Sequence, residues 1–352
     1  MTSGGLIQAT LPGLAFAAAL AIVAKVASYA TGGAISAVLC AILLGVLWRN
    51  VLGVGAWAER GLEFAGQSLL RAGIALIGLR LTLAVLGDVS LMAVPVVLSC
   101  VAVAITAAIG IGRLLGVAPV MRQLLAAGTA ICGCTAIIAV APLLHARKAD
   151  IGVALTCVVL FGSMAMIGYP WLAGALFDAP VTAGMFFGAS IHDTSQVVGA
   201  SLIYAQQFGA PEAVPIAGLT KFMRTLGLLL LVPLAAWWGA RGDGGQPAQL
   251  PQGLRRKAVP AFVLFFIGFV VLRTLGDGAS GESAHWLPRW QQFLALANLA
   301  SEWLLLCGMA AVGLGVTVSH LREAGWRPIL LSFLAALLTG LCALLWCLVV
   351  FA

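Results

Sequence analysis

Charge is what this sequence has least of. Only 9% of its 352 residues are Asp, Glu, Lys or Arg, against roughly 25% in soluble domains, while 62% are hydrophobic. That deficit excludes a water-soluble globule and identifies a polytopic membrane protein. Acidic residues are scarcer than basic ones, 12 against 19, which gives a net charge of +7. The cations fall mostly in short loops, where they orient a membrane protein, so nucleic acid is excluded as a partner. The N-terminus (MTSGGLIQAT) lacks a basic n-region and a cleavage site, so Leu11 to Ala30 is expected to be a retained span rather than a signal peptide. Six of the eight cysteines are scattered as well. Cys40, Cys100, Cys157, Cys307, Cys342 and Cys347 stand singly in apolar segments, which excludes a disulfide framework or a zinc site. Large polar loops are also absent. A Gly/Gln/Pro-rich connector over 240–257, ending in Arg255, Arg256 and Lys257, and a polar link from Gly276 to Arg289 are both too short to fold alone.

What is present is a series of apolar runs near the ~20-residue spanning length. They lie at about 11–30, 33–48, 64–86, 90–112, 121–143, 150–176, 181–207, 213–239, 258–275, 292–317 and 326–351. The 42 glycines suit close helix packing in lipid.

One of these runs carries GASIHDTSQVVGA, from Gly188 to Ala200, with five consecutive polar side chains at His192, Asp193, Thr194, Ser195 and Gln196. Unsatisfied polar groups cost several kcal/mol in hydrocarbon, so this stretch must be buried in protein or line a wet cavity. A second stretch, GTAICGCTAIIAV from Gly128 to Val140, follows the same template 60 residues earlier, pairing Gly128 with Gly188, Gly133 with Asp193 and Thr135 with Ser195. Matched interruptions of apolar segments are the best sequence pointer to a transporter binding site. Ala189 to Ser195 is expected to be an unwound tip between two half-helices. The N–H groups of the second half-helix, near Asp193 to Gln196, would then form an anion site. Ser190, Thr194, Ser195 and Gln196 add donors, and Asp193 could ligate a coupling cation. The plainer reading makes Asp193 or Thr194 an N-cap and His192 a satisfied buried histidine. In the partner stretch, Cys132, Gly133, Cys134 and Thr135 would form a matching tight break. A Cys-X-Cys pair without a second pair at ligand spacing does not make a metal site.

If cation-rich loops are cytoplasmic, Arg122 and Arg147/Lys148 place both ends of the fifth segment inside, while Asp178 and Glu212 leave the seventh outside. Both motif segments would then be re-entrant hairpins; broken full spans remain the alternative. A second repeat, GIALIGLRLTLAVL from Gly73 against GMAAVGLGVTVSHL from Gly308, is offset by 235 residues and would run in the opposite sense. The expected fold is all-α, with about nine to eleven transmembrane segments. It is one transporter domain of inverted repeats, the first about 33–176 and the second, permuted, about 181–351, with two discontinuous or re-entrant helices meeting at the midplane.

Intramembrane cations are costly, so they face the bundle interior or snorkel. Lys221 and Arg224 are three apart and share a helix face directly after the polar motif. Arg80 stands where the second repeat copy has Gly315. All three are candidates to compensate or contact an anion, the alternative being structural pairing with Asp193, Glu63 or helix carbonyls. Arg273, near a segment end, is expected to snorkel. Asn298 and Glu302, four apart, are weaker candidates to face the core.

The motifs GIALIGLRL, ICGCTAI, GASIHDTSQVVGA and KFMR resemble those of the YeiH-type conserved inner-membrane proteins, a family to which a sulfate exporter role is attached. Cys134-Thr135 departs from the Ser-Ala common in the family. The resemblance covers essentially the whole chain. It implies a multi-pass transporter of the bacterial inner membrane, near the sodium/proton antiporter and bile-acid symporter superfamily with its broken helices. The first reading is therefore a secondary transporter of a small anion, sulfate or a related sulfur oxyanion or sulfonate, with coupling to protons or sodium open and no other cofactor. The second is a cation/proton antiporter with Asp193 as the exchanged carboxylate. An enzyme using His192, Asp193 and a cysteine lacks a carboxylate pair or His-rich motif. The expected partners are an anionic solute and the bilayer, with a homodimer left open.

Overall fold

The computed structural model describes residues 3–32, 35–226, 261–282, 286–317 and 325–350. The connector 240–257, the end of the 213–239 segment, His285, Leu321 and Arg322 lie outside them. Among the described residues there is no strand. The helices are α1 (Ser3–Ala30), α2 (Ala37–Val51), α3 (Ala56–Phe64), α4 (Leu70–Ile77), α5 (Leu83–Leu114), α6 (Pro119–Ala130), α7 (Cys134–Val140), α8 (Lys148–Leu176), α9 (Pro180–Ser190), α10 (Thr194–Phe208), α11 (Ala213–Leu226), α12 (Ala261–Glu282), α13 (Trp286–Gly315) and α14 (Trp326–Val350). A π-helical turn joins α3 to α4, and a 3₁₀ turn over Gly78–Arg80 closes α4. Among the described residues, seven helices or helix runs are long and apolar enough to cross a membrane: 10–30, 56–80, 83–114, 148–176, 261–278, 287–315 and 326–349. The expected 33–48 span is the shorter helix α2, of 15 residues, N-capped by the Ser36 hydroxyl at 3.1 Å from the Leu39 N–H.

The helices form two compact units built from interleaved stretches, which cut across the repeat boundaries read from the sequence. One unit takes the described residues within 1–88, 202–215 and 261–318; the other takes those within 89–201, 216–260 and 319–352.

In the first unit α13 packs against α1, α2 and α4. Small residues set how close it comes. A Cβ on Gly73 of α4 would lie 2.8 Å from Leu305 of α13, and one on Gly308 of α13 would lie 2.9 Å from Leu70 of α4. Leu70 and Leu305 are themselves 235 apart, so the contact is reciprocal across the two repeat copies. The helical runs ending at Arg80 and at Gly315 also stop at equivalent positions. Arg273 Nε donates to Asp277 Oδ2 at 2.6 Å and its Nη1 to the Leu79 carbonyl at 3.0 Å, closing the end of the 3₁₀ turn. One residue further along α12, the Thr274 hydroxyl accepts from the Leu83 N–H at 2.9 Å, so α12 satisfies both sides of the interruption between α4 and α5.

In the second unit α14 packs on α6, α8 and α9. Prolines at the first helical position start α6 and α9, where a missing N–H costs nothing. Both helices then break off. α6 gives way after Ala130 and the chain resumes at Cys134 in α7; α9 gives way after Ser190 and resumes at Thr194 in α10.

Candidate functional site

The two breaks meet inside the second unit. Gly133 has φ 63° and ψ −122°, a conformation open essentially to glycine alone. A Cβ there would lie 3.0 Å from Asp193 Oδ2, 3.1 Å from Asp193 Cβ and 3.2 Å from Asp193 Cα. The pair that the repeat alignment equates is thus the pair in contact at the crossing.

Breaking two helices leaves carbonyls at the ends of α6 and α9 without intrahelical partners, and lipid supplies none. α11 supplies them. Lys221 Nζ donates to the carbonyls of Ile131 at 2.8 Å, Ile191 at 2.9 Å, and His192. Arg224 donates from Nε to Ala130 O at 3.0 Å and from Nη1 to Ala189 O at 2.5 Å and Ile191 O at 3.1 Å. Its Nη2 donates to Thr129 O. Both side chains are fully buried. Each cation therefore bridges both broken helices at their carbonyl ends, where the helix dipole is negative. Gly188 permits this approach, because a Cβ there would lie 2.6 Å from Ala217 O and 3.0 Å from Lys221 N. Lys221 Nζ thus donates to three carbonyls at the crossing.

At the opposite ends, Asp193 caps α10. Its Oδ1 accepts from the Ser195 N–H at 2.9 Å and from the Ser195 hydroxyl at 2.5 Å. Gln196 Oε1 accepts from the Asp193 N–H at 3.4 Å, which completes a capping box. The Gln196 amide is spent as well, donating to Val159 O at 3.0 Å and Ser163 Oγ at 3.3 Å on α8. The hydroxyl of Ser190 turns back to Phe186 O at 2.6 Å within α9. These bonds give Ser190 and Gln196 structural duties. Gly162 of α8 leaves the space that the Gln196 amide fills. Gly162→Ala should dislodge that amide and lower the thermal midpoint by the equivalent of about 1–3 kcal/mol, as an unmet buried donor does; differential scanning fluorimetry of the solubilised protein measures it.

Around the crossing Cys132, Gly133, His192 and Gln196 are buried, Cys134, Asp193, Thr194 and Ser195 half-buried, and Thr135 exposed. The hydroxyls of Thr129 and Thr220 are buried without a hydrogen-bond partner in the protein, and the fully buried His192 ring lies against the Thr129 backbone. Thr129 and Thr220 were not singled out in the sequence, although one lies inside the first motif and the other directly precedes Lys221. Among the described residues no group of three or more His, Cys, Asp or Glu could hold a metal ion.

Arg80 belongs to the other compact unit. Its Nε donates to Asn298 Oδ1 on α13 at 2.9 Å, and Glu302, one turn further along, pairs with Lys25 Nζ at 2.8 Å.

The family model described as conserved hypothetical protein 698 matches residues 12–332. The chain belongs to this family. Conserved hypothetical protein 698 relatives include a UPF0324 membrane protein of Rhizobium meliloti, 33% identical over 92% of this chain and 87% of the relative. The UPF0324 membrane protein TauZ of Paracoccus denitrificans is 32% identical over 94% of this chain and 92% of its own length. The UPF0324 inner membrane protein YeiH of Escherichia coli is 29% identical over 92% and 89%. No solved structure matches. With seven apolar helices of spanning length, the chain is a multi-pass membrane protein of the inner membrane.

Proposed function

We propose that the chain is a secondary transporter of a small anion, with sulfate or a related sulfur oxyanion or sulfonate as the solute class. The observation that carries this reading is the asymmetry of charge at the crossing. Lys221 and Arg224 neutralise the negative ends of α6 and α9, while the amino end of α7 has no side-chain cap and that of α10 is capped by Asp193. The hydroxyls of Thr135, Thr194 and Ser195 stand on the first turns of those two helices. Asp193 is the one carboxylate at the crossing, against two buried cations. The solute would sit against these first turns and exchange sides by alternating access, as broken-helix carriers do. The reciprocal packing of Gly73 on Leu305 and Gly308 on Leu70 supports the inverted-repeat arrangement such carriers share.

The test is counterflow of labelled sulfate into liposomes holding the purified protein, competed by sulfite, thiosulfate and short sulfonates. Saturable exchange that chloride leaves unaffected supports the reading. Sodium-dependent proton flux with no anion requirement overturns it and selects a cation/proton antiporter.

That second reading draws on one detail. Asp193 spends Oδ1 on its cap while Oδ2 faces Gly133, so a carboxylate oxygen stands at the crossing. Asp193→Asn separates the two. If Asp193 carries a coupling cation, the substitution abolishes gradient-driven uptake and spares counterflow. If Asp193 only caps α10, uptake falls less than about tenfold, in keeping with a cap contribution of about 1 kcal/mol.

A further inference from the structure

The second unit carries a group of arginines that the crossing does not use. Arg113 is exposed in the last turn of α5, Arg122 lies in the first turns of α6, and Arg327 is exposed at the start of α14. The three helix ends are held together by small residues. A Cβ on Gly112 would lie 2.6 Å from Arg122 Cγ and 2.9 Å from Leu331 of α14, and one on Gly116 would lie 3.5 Å from Arg327 Nη1. Gly116 (φ 64°) ends α5 in a turn closed by the Val117 N–H on Gly112 O at 2.9 Å, which swings α6 back beside α5. Among the described residues the ion pairs involve Lys25, Arg49, Arg147 and Arg273, and none of these three arginines.

The depth of the group in the bilayer follows from its neighbours. Two apolar runs of spanning length, 83–114 and 326–349, have their ends here. Leu114 is 87% exposed and Trp326 65% exposed, and Arg327 lies 5.6 Å from the centre of the Trp326 ring. A tryptophan and bare leucine beside unpaired arginines, at the ends of two spans, is the arrangement of the headgroup level. A free phosphate ion would have no use for the two apolar side chains.

We infer that Arg122 and Arg327, with Arg113 beside them, bind the phosphodiester headgroup of an anionic lipid whose acyl chains run along Leu114 and Trp326. By the positive-inside rule the lipid would belong to the cytoplasmic leaflet. Each arginine at such a surface strengthens binding about fivefold, so losing two weakens it roughly 25-fold.

The test reconstitutes the full chain in nanodiscs of phosphatidylcholine with increasing phosphatidylglycerol and reads the melting midpoint and the lipids retained by native mass spectrometry. The expected result is a midpoint that rises with phosphatidylglycerol, and selective retention of that lipid by the wild type. Arg122→Gln/Arg327→Gln should need roughly 25-fold more phosphatidylglycerol for the same response, while Lys148→Gln responds as the wild type does. Melting in pure phosphatidylcholine reports whether the double variant is folded. If it is not, Arg327→Gln alone, whose guanidinium abuts Gly116 and the Trp326 ring, should show about a fivefold loss. A response equal in wild type and variants overturns the inference, as does inorganic phosphate reproducing it.

Discussion

Lys221→Met should cost this protein more stability than any other single substitution at the crossing, and should do so with no solute present. The change keeps the length of the side chain and removes three N–H donors from three carbonyls that belong to two different broken helices. Neutral hydrogen bonds between membrane helices average about 0.6 kcal/mol, which sets a floor near 2 kcal/mol for three of them. Removing one member of a buried charge network typically costs about 3–5 kcal/mol. The expected loss is therefore about 2–5 kcal/mol, visible as a lower melting midpoint and a poorer yield of monodisperse protein. Arg224→Lys is the informative companion. It keeps the charge against the helix dipoles but replaces a fork that reaches four carbonyls with a single ammonium, so it should lose less than Lys221→Met. A Lys221→Met protein that melts like the wild type and fails only to bind anion would place Lys221 in the solute's own coordination and sink the capping role.

This division of labour was only half legible in the sequence. A polar run that lipid cannot tolerate, repeated 60 residues apart, located both interruptions, and the structure narrows the second from Ala189–Ser195 to the three residues Ile191 to Asp193. The D-x-x-Q spacing of Asp193 and Gln196 is itself a capping-box signature. Spacing also put Lys221 and Arg224 on one face. It could not say what that face meets, because the carbonyls they hold lie about 30 and 90 residues away in the chain and come within reach through the fit of Gly188 against α11. For the same reason spacing could not show that Arg273 meets the Leu79 carbonyl where α4 ends. The interleaving of three separate stretches into each compact unit leaves no local mark at all. It is a property of which helices pack together, and a reading in chain order cannot recover it.

Gly133→Ala should separate function from stability at the crossing. Two effects act on the new methyl group. The backbone, at φ 63° and ψ −122°, is one that an L side chain adopts at a cost of about 1–3 kcal/mol. The methyl would also stand 3.0 to 3.2 Å from three atoms of Asp193, so one of the two breaks must move by a few tenths of an ångström. Gly32 and Gly53 are controls for a positive φ without a clash, since φ is 62° and 75° and there is open space where a Cβ would go. Alanine at those two positions should lower the midpoint slightly and leave transport intact. Alanine at Gly133 should lower it by more and reduce exchange roughly tenfold or more, because a small displacement moves the Asp193 cap and the first turns of α7 and α10 apart together. Asp193→Gly removes the side-chain part of the contact at little cost to an N-cap, so Gly133→Ala combined with Asp193→Gly should lose less than the two single losses added. Strict additivity would mean that the crossing tolerates the methyl group and that only backbone strain is at work.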